Sequence, residues 1–204
     1  MLFDDTYRTI ENSSEGTFRD RGSKFIAYAY PISSEGEIKS IVASLKSEHP
    51  KARHHCWAMR LSIDRSAFKL NDDGEPSGTA GRPILNTLLS RDLTNVLVVV
   101  VRYFGGTLLG VPGLINAYKM ATEEALNQAV VIEKTVNDVY TISFDYLQMN
   151  EVMRVIKDGD LATLSQQFDN NCSIQVSIRK MQVNAILSKL HTLAGVGVKY
   201  DHSI

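Results

Sequence analysis

Three carboxylates stand close together in Asn71-Asp72-Asp73-Gly74-Glu75-Pro76-Ser77-Gly78-Thr79-Ala80-Gly81-Arg82-Pro83. Asp72, Asp73 and Glu75 are the right groups, at the right density, for acid–base chemistry or for holding magnesium. The same three acids also suit a purely structural role. Asp-Asp-Gly makes an Asx-type turn, and a carboxylate at the end of such a turn caps a following element. The turn-making role is the preferred reading. Upstream, His54 and Cys56 alternate onto one face of a strand and have the ligand chemistry of zinc. No second Cys or His pair stands at ligand spacing, so a packed histidine and a buried free thiol are expected instead. Covalent catalysis by Cys56 lacks a marked oxyanion hole or an activating neighbour. Ser77 in Glu75-Pro76-Ser77-Gly78 is not in the strand-turn-helix elbow of a serine nucleophile. No cofactor and no metal is expected.

A second polar loop follows the longest apolar run: Arg102-Tyr103-Phe104-Gly105-Gly106-Thr107-Leu108-Leu109-Gly110-Val111-Pro112-Gly113. Gly105, Gly106, Gly110 and Gly113 lead into a helix, whose free amides attract phosphate. Neither the Walker nor the dinucleotide spacing is present. Phosphate binding and close packing of the two loops stand as equal alternatives. The two glycine loops are expected to meet in one surface. Lys51, Arg53, Arg60, Arg65, Arg82, Arg102, Tyr103 and Tyr118 would surround it, a mixture that suits a nucleic-acid backbone and stacked bases. The alternative is an ordinary solvated surface.

The elements that must position these loops follow from periodicity. Tyr7–Glu11 reads as a short strand, Asn12–Gly16 as a turn cluster and Phe18–Ile32 as one strand. Ser34 and Glu37 form a capping-box pattern ahead of Ile38, Ile41, Val42 and Leu45, a helix that ends before Pro50. His54–Leu61 and Ala67–Leu70 read as strands around a turn at Asp64-Arg65-Ser66. Pro83 opens a helix with Ile84, Leu85, Leu88 and Leu89 as its stripe. Val96–Val101 is a continuous β-branched run and reads as a central strand covered on both faces. Leu114 to Ala129 reads as a long helix with a small-residue face. After a reset near Glu133-Lys134-Thr135, the order is strand Val139–Tyr146, helix Gln148–Lys157, strands Leu161–Phe168 and Ser173–Arg179 around Asp169-Asn170-Asn171, helix Val183–Leu193 and strand Val196–His202. That is β-α-β-β-α-β, the ferredoxin-like order. The boundary is placed at 135, giving domains 1–135 and 136–204.

The chain's 204 residues suffice for one large domain or two small ones. Its net charge of −1 supplies no global basic field, so any nucleic-acid contact must be local. Two cysteines far apart argue for a reducing compartment and against a disulfide scaffold. The acidic start lacks the pattern of a signal peptide, and no apolar run approaches the roughly 20 residues that span a bilayer. A cytoplasmic location and no membrane partner are expected.

Several strings occur in one order: Arg21-Gly22-Ser23-Lys24-Phe25-Ile26-Ala27, Ala52-Arg53-His54-His55-Cys56-Trp57-Ala58, Asp72 through Pro83, and Val99-Val100-Val101-Arg102-Tyr103-Phe104-Gly105-Gly106. Together they closely resemble the IMPACT/YigZ family, almost throughout the N-terminal domain. The C-terminal part resembles that of the two-domain bacterial members. The resemblance implies an α+β fold with an N-terminal left-handed β-α-β domain like domain IV of elongation factor G. It implies a C-terminal ferredoxin-like domain. GHMP-type kinases share the first fold, although their phosphate loop is not recognisable here. Eukaryotic IMPACT proteins regulate translation, carry an extra RWD domain and compete for an activator of a starvation-responsive kinase. This chain lacks room for that domain, so a looser link to translation is what transfers. Where the family typically has Gly-x-Gly-Gly-Leu, this chain has Gly110-Val111-Pro112-Gly113-Leu114, and Pro112 removes one amide donor.

The function expected is therefore non-enzymatic binding that regulates translation, with RNA or the ribosome engaged through the glycine-loop surface. The expected contact set is Ser23, Lys24, His54, Asp72, Asp73, Glu75, Gly78, Thr79, Gly81, Arg82, Arg102, Tyr103, Gly105, Gly106, Gly110, Gly113 and Tyr118. The alternative is an enzyme or nucleotide-binding protein acting on a phosphorylated small molecule at the same loops. A protein-interaction module held through the ferredoxin-like domain is the third possibility.

Overall fold

The computed structural model describes residues 5–62, 66–169 and 171–204. Arg65 and parts of the turns expected at Asp64–Ser66 and Asp169–Asn171 lie outside the described residues. The fold is mixed α and β, in two compact units. One holds residues 8–133. The other holds residues 134–204 together with the N-terminal residues up to Tyr7.

The first unit is built on a five-stranded antiparallel sheet of order β2-β3-β6-β4-β5. Its strands are β2 (Ser14–Asp20), β3 (Ser23–Pro31), β4 (His54–Leu61), β5 (Ala67–Asn71) and β6 (Val96–Tyr103). The Val96–Val101 run is fully buried in the central strand, as a β-branched run without alternation requires. Helix α1 (Gly36–Glu48) covers one face, where Ile38 and Leu45 pack on Met59, Leu97 and Val99. Helices α2 (Gly81–Ser90) and α3 (Gly110–Gln128) cover the other. There Ile84, Leu88, Ala117 and Ala121 meet Ala27, Cys56 and Val100. The small-residue face of α3 has a specific use: a methyl group at Gly16 would sit 2.2 Å from the Ala125 backbone nitrogen. Only glycine lets β2 approach the helix so closely.

Local chemistry explains the element ends. Glu37 reaches back to accept the N–H groups of Ser33 and Ser34, each at 2.8 Å, which is half of a capping box. The backbone hydrogen bond from Ser33 is the main reason its carboxyl sits below the usual range. The expected single strand Phe18–Ile32 is instead a hairpin. Arg21 (φ 45°) and Gly22 (φ 79°) both adopt positive φ, the signature of a two-residue I′ turn. Arginine is an unusual first residue for that turn, which hid it. The strand begins at Ser14, inside the expected turn cluster.

A two-stranded sheet pairs β1 (Thr6–Ile10) with β7 (Val131–Thr135), the latter too short and polar to show a pattern. The second unit continues with β8 (Asn137–Phe144), α4 (Met149–Asp158), β9 (Ala162–Phe168), β10 (Cys172–Arg179), α5 (Val183–His191) and β11 (Gly197–Ser203). The antiparallel sheet order is β11-β8-β10-β9. Ile142, Ile174 and Val176 pack against Val152, Ile156 and Ile186. Met153 is 39% exposed, while Val155 packs on the core. Asp5 is buried in this unit and accepts Nε and Nη2 of Arg179 at 2.7 and 2.9 Å. That pairing holds its carboxyl below the ordinary range.

Candidate functional site: two glycine loops on one sheet face

The loop after β5 is organised by the carboxylate of Asp72. Its Oδ2 accepts the Gly78 N–H at 2.8 Å. Its Oδ1 accepts the N–H groups of Ala80 at 3.1 Å and Gly81 at 2.8 Å. The Ala80 and Gly81 amides open α2, where a free anion would otherwise be attracted. The chain's own carboxylate therefore fills the anion position of α2. Asp73 is equally occupied. Its Oδ2 accepts the His55 N–H at 2.7 Å, its Oδ1 pairs with Lys46 at 3.4 Å, and its own N–H binds Asn71 Oδ1. The ring of His54 lies with Nδ1 2.8 Å from the Asp73 carbonyl. A carbonyl only accepts, so Nδ1 carries the proton. Thr79 is buried and bonds through N–H and Oγ to the Pro76 carbonyl.

Glu75 turns inward. Its side chain is 3% exposed, and its Oε1 accepts Arg102 Nη1 at 2.6 Å and the Tyr118 hydroxyl at 2.8 Å. Sheet register explains the convergence: Phe25, Arg102 and His54 lie in one row across β3, β6 and β4. The Arg102 guanidinium lies 5.4 Å from the Phe25 ring centre and 5.7 Å from that of Phe104. Phe25 meets Tyr118 edge-on at 5.1 Å. Beneath them Cys56 Sγ lies 2.9 Å from the Asp72 carbonyl and 3.3 Å from the Tyr118 hydroxyl. Burial pushes the Cys56 thiol far up, and burial does the same to the Tyr118 phenol. Cys56 is therefore a neutral donor, not a thiolate nucleophile. Both cysteines are buried, so an aromatic disulfide reagent should modify neither in the native protein and both after unfolding. Rapid native reaction at Cys56 would overturn that assignment.

The second loop is fixed from the hairpin turn. Gly105 donates its N–H to Ser23 Oγ at 3.1 Å. An added Cβ at Gly105 would lie 1.9 Å from the Gly22 carbonyl carbon. Gly106 and Gly110 have φ of 86° and 70°, and Gly110 starts α3. Pro112 falls in the first turn of that helix, where its missing N–H leaves no intrahelical bond unmade. Gly113 is half-buried there.

The two loops thus share one sheet face, joined through Glu75, Arg102 and Tyr118. Not every expected residue belongs to it. Arg102, Tyr118, Ser23, Glu75, Thr79 and Gly81 are buried and shape the surface without presenting a side chain to a partner. The Tyr103 hydroxyl lies 2.8 Å from His49 Nδ1, just beyond α1, on the opposite face from Arg102. Lys24 stands opposite Tyr103 in the ladder. Arg60 sits at the far end of β4 and pairs with Asp92 at 3.2 Å, so it is no part of the patch. Lys51, Arg53 and Arg82 are exposed. Between α2 and α3 runs an open groove of about 450 Å³, lined by Gly78, Arg82, Pro83, Asn86, Ile115 and Lys119 among others. Lys119 was not legible as a site residue, since helix α3 had first to place it across from Arg82. Among the described residues no group of three His, Cys, Asp or Glu stands close enough to hold a metal ion. Among the described residues, too, no helix is long and apolar enough to cross a membrane.

Residues 21–126 match the Impact N-terminal domain. The chain belongs to the IMPACT family. This IMPACT chain is 35% identical over 170 residues to an IMPACT family member of Haemophilus influenzae, covering 82% of each chain. It is 33% identical over 170 residues to the IMPACT family member YigZ of Escherichia coli, covering 82% of this chain and 83% of that one. Among solved structures, a crystal structure of a hypothetical protein superposes with a TM-score of 0.73 at 28% identity, covering 96% of this chain and 97% of the other. Both units are therefore shared with relatives, and the glycine-loop site lies within the matched domain.

Proposed function

We propose that this IMPACT family chain is a cytoplasmic, non-enzymatic binding protein that acts in translation by docking structured RNA of the translation machinery on the glycine-loop face. The observation that carries this reading is the division of labour among the charged groups. Asp72, Asp73 and Glu75 are committed to the chain's own amides, Arg102, Lys46 and Tyr118, while Arg82 faces an open groove beside Lys119, whose exposed ammonium lies 3.7 Å from Glu123 one turn further along α3. Exposed cations beside a groove and no free carboxylate pair suit phosphate contact better than acid–base chemistry. The family's link to translation supports the choice of RNA. The N-terminal unit is read as the left-handed β-α-β domain of the family. The C-terminal order β11-β8-β10-β9 supports a ferredoxin-like reading.

Ribosome co-sedimentation and anisotropy with a structured RNA test the proposal. Affinity should fall steeply with salt. In Arg82→Ala/Lys119→Ala, the slope of log K against log salt should become shallower by about 1 per lost phosphate contact. Lys39→Ala, on the exposed side of α1, should change nothing. Arg102→Ala is a poor probe, since it leaves the buried Glu75 carboxylate without its counter-charge. An absence of ribosome and RNA binding at low salt sinks the reading.

A further inference from the structure

Phe104 is the outermost layer of a stack that begins in the core. Tyr118 meets Phe25 edge-on, the Arg102 guanidinium lies near both the Phe25 and Phe104 ring centres, and Phe104 is 52% exposed. Each inner layer is fixed. Arg102 is held by Glu75, and Gly105, the residue after Phe104, is pressed against Gly22 and bonded to Ser23. A phenyl ring half in water loses much of the benefit of burial. A mobile exposed phenylalanine would be unremarkable, but this one is presented at a set position by a buried ion pair and a glycine–glycine contact. Its electron-rich face is braced by a cation on the inside. The surroundings define what fits outside. Arg21 is exposed in the turn that touches Gly105, the residue after Phe104. An aromatic platform with a cation beside it matches an unpaired base attached to a phosphate backbone.

We infer that Phe104 is a base-stacking platform, so that the RNA taken by this face carries at least one unstacked base in a loop, bulge or single strand. The inference rests on the RNA reading above and narrows it. A duplex hides the faces of its bases, and the platform would then contribute nothing.

The experiment uses the full chain with two probes, an oligoadenylate of about 12 nucleotides and an RNA duplex of about the same length. Phe104→Leu keeps apolar bulk and removes the ring; Phe104→Trp keeps a ring. Oligoadenylate affinity should fall about tenfold in Phe104→Leu and be retained in Phe104→Trp. The salt slope should stay unchanged in both, because stacking releases no counterions. Duplex affinity should not respond to either variant. Thermal melts check that both variants fold. Equal affinity of Phe104→Leu and the native chain for oligoadenylate overturns the platform, as does an equal loss in Leu and Trp variants or a native chain that binds only duplex. In each of those cases RNA binding by Arg82 and Lys119 still stands. If neither probe nor the ribosome is bound by the native chain, both readings fall together.

Discussion

Glu75→Ala should lower the stability of the N-terminal unit by about 3–5 kcal/mol, the range for removing one partner of a buried ion pair. The substitution strands the Arg102 guanidinium in a side chain that is 7% exposed, with its Nε already lacking a partner among the described residues. It also takes the acceptor from the Tyr118 hydroxyl. The denaturation midpoint in urea reads the loss. Glu75→Gln keeps an oxygen for Tyr118 but no charge for Arg102, and should fall between the native chain and Glu75→Ala. Glu75→Leu combined with Arg102→Met removes both charges and keeps bulk between the Phe25 and Phe104 rings. It should recover most of the stability lost in Glu75→Ala. If the double variant is no more stable than the single one, the loss comes from packing and the ion pair is not its cause.

Asp72→Ala should cost about 2–4 kcal/mol. One carboxylate satisfies the amides of Gly78, Ala80 and Gly81, and an unmet buried amide costs about 1–3 kcal/mol, partly relieved here by water. Loss of a helix cap alone costs about 1 kcal/mol. The variant makes a second, more specific prediction. With the carboxylate gone, the amides at the start of α2 become an open anion site. Inorganic phosphate should then raise the melting temperature of Asp72→Ala more than that of the native chain, by ordinary linkage. Equal shifts in the two proteins would show that Asp72 does not occupy an anion position.

The site was legible in unequal parts, and the differences have physical causes. Asp72 and Asp73 were readable as turn-makers, because an Asx turn and a helix start involve neighbours a few residues apart; Glu75, expected to cap an element, instead turns inward to Arg102 and Tyr118. The hydrogen bonds of Asp72 span six to nine residues. The hairpin at Arg21-Gly22 was missed because turn chemistry favours Asn or Gly at its first position. Lys24 and Tyr103 looked like members of the same surface as Arg102. On a strand, however, consecutive side chains point to opposite faces, and Tyr103 bonds His49 on the α1 side. Arg60 was grouped with the loops on charge alone, although the length of β4 puts it at the opposite end of the sheet from His54.

By itself, then, the sequence determined most of the elements, the central place of the Val96–Val101 strand, the two glycine loops and the family. Those follow from periodicity, propensity and motif, all of which act over short stretches of chain. Only the tertiary structure decided what each charged residue is for. Glu75 meets Arg102 27 residues away and Tyr118 43 away. That meeting depends on the register that aligns Phe25, Arg102 and His54 and on the close approach of β2 to α3. A carboxylate, a guanidinium and a phenol look like surface chemistry in the chain. Sheet register and helix packing turn them into a buried brace, and leave Arg82, Lys119 and Phe104 to face the solvent.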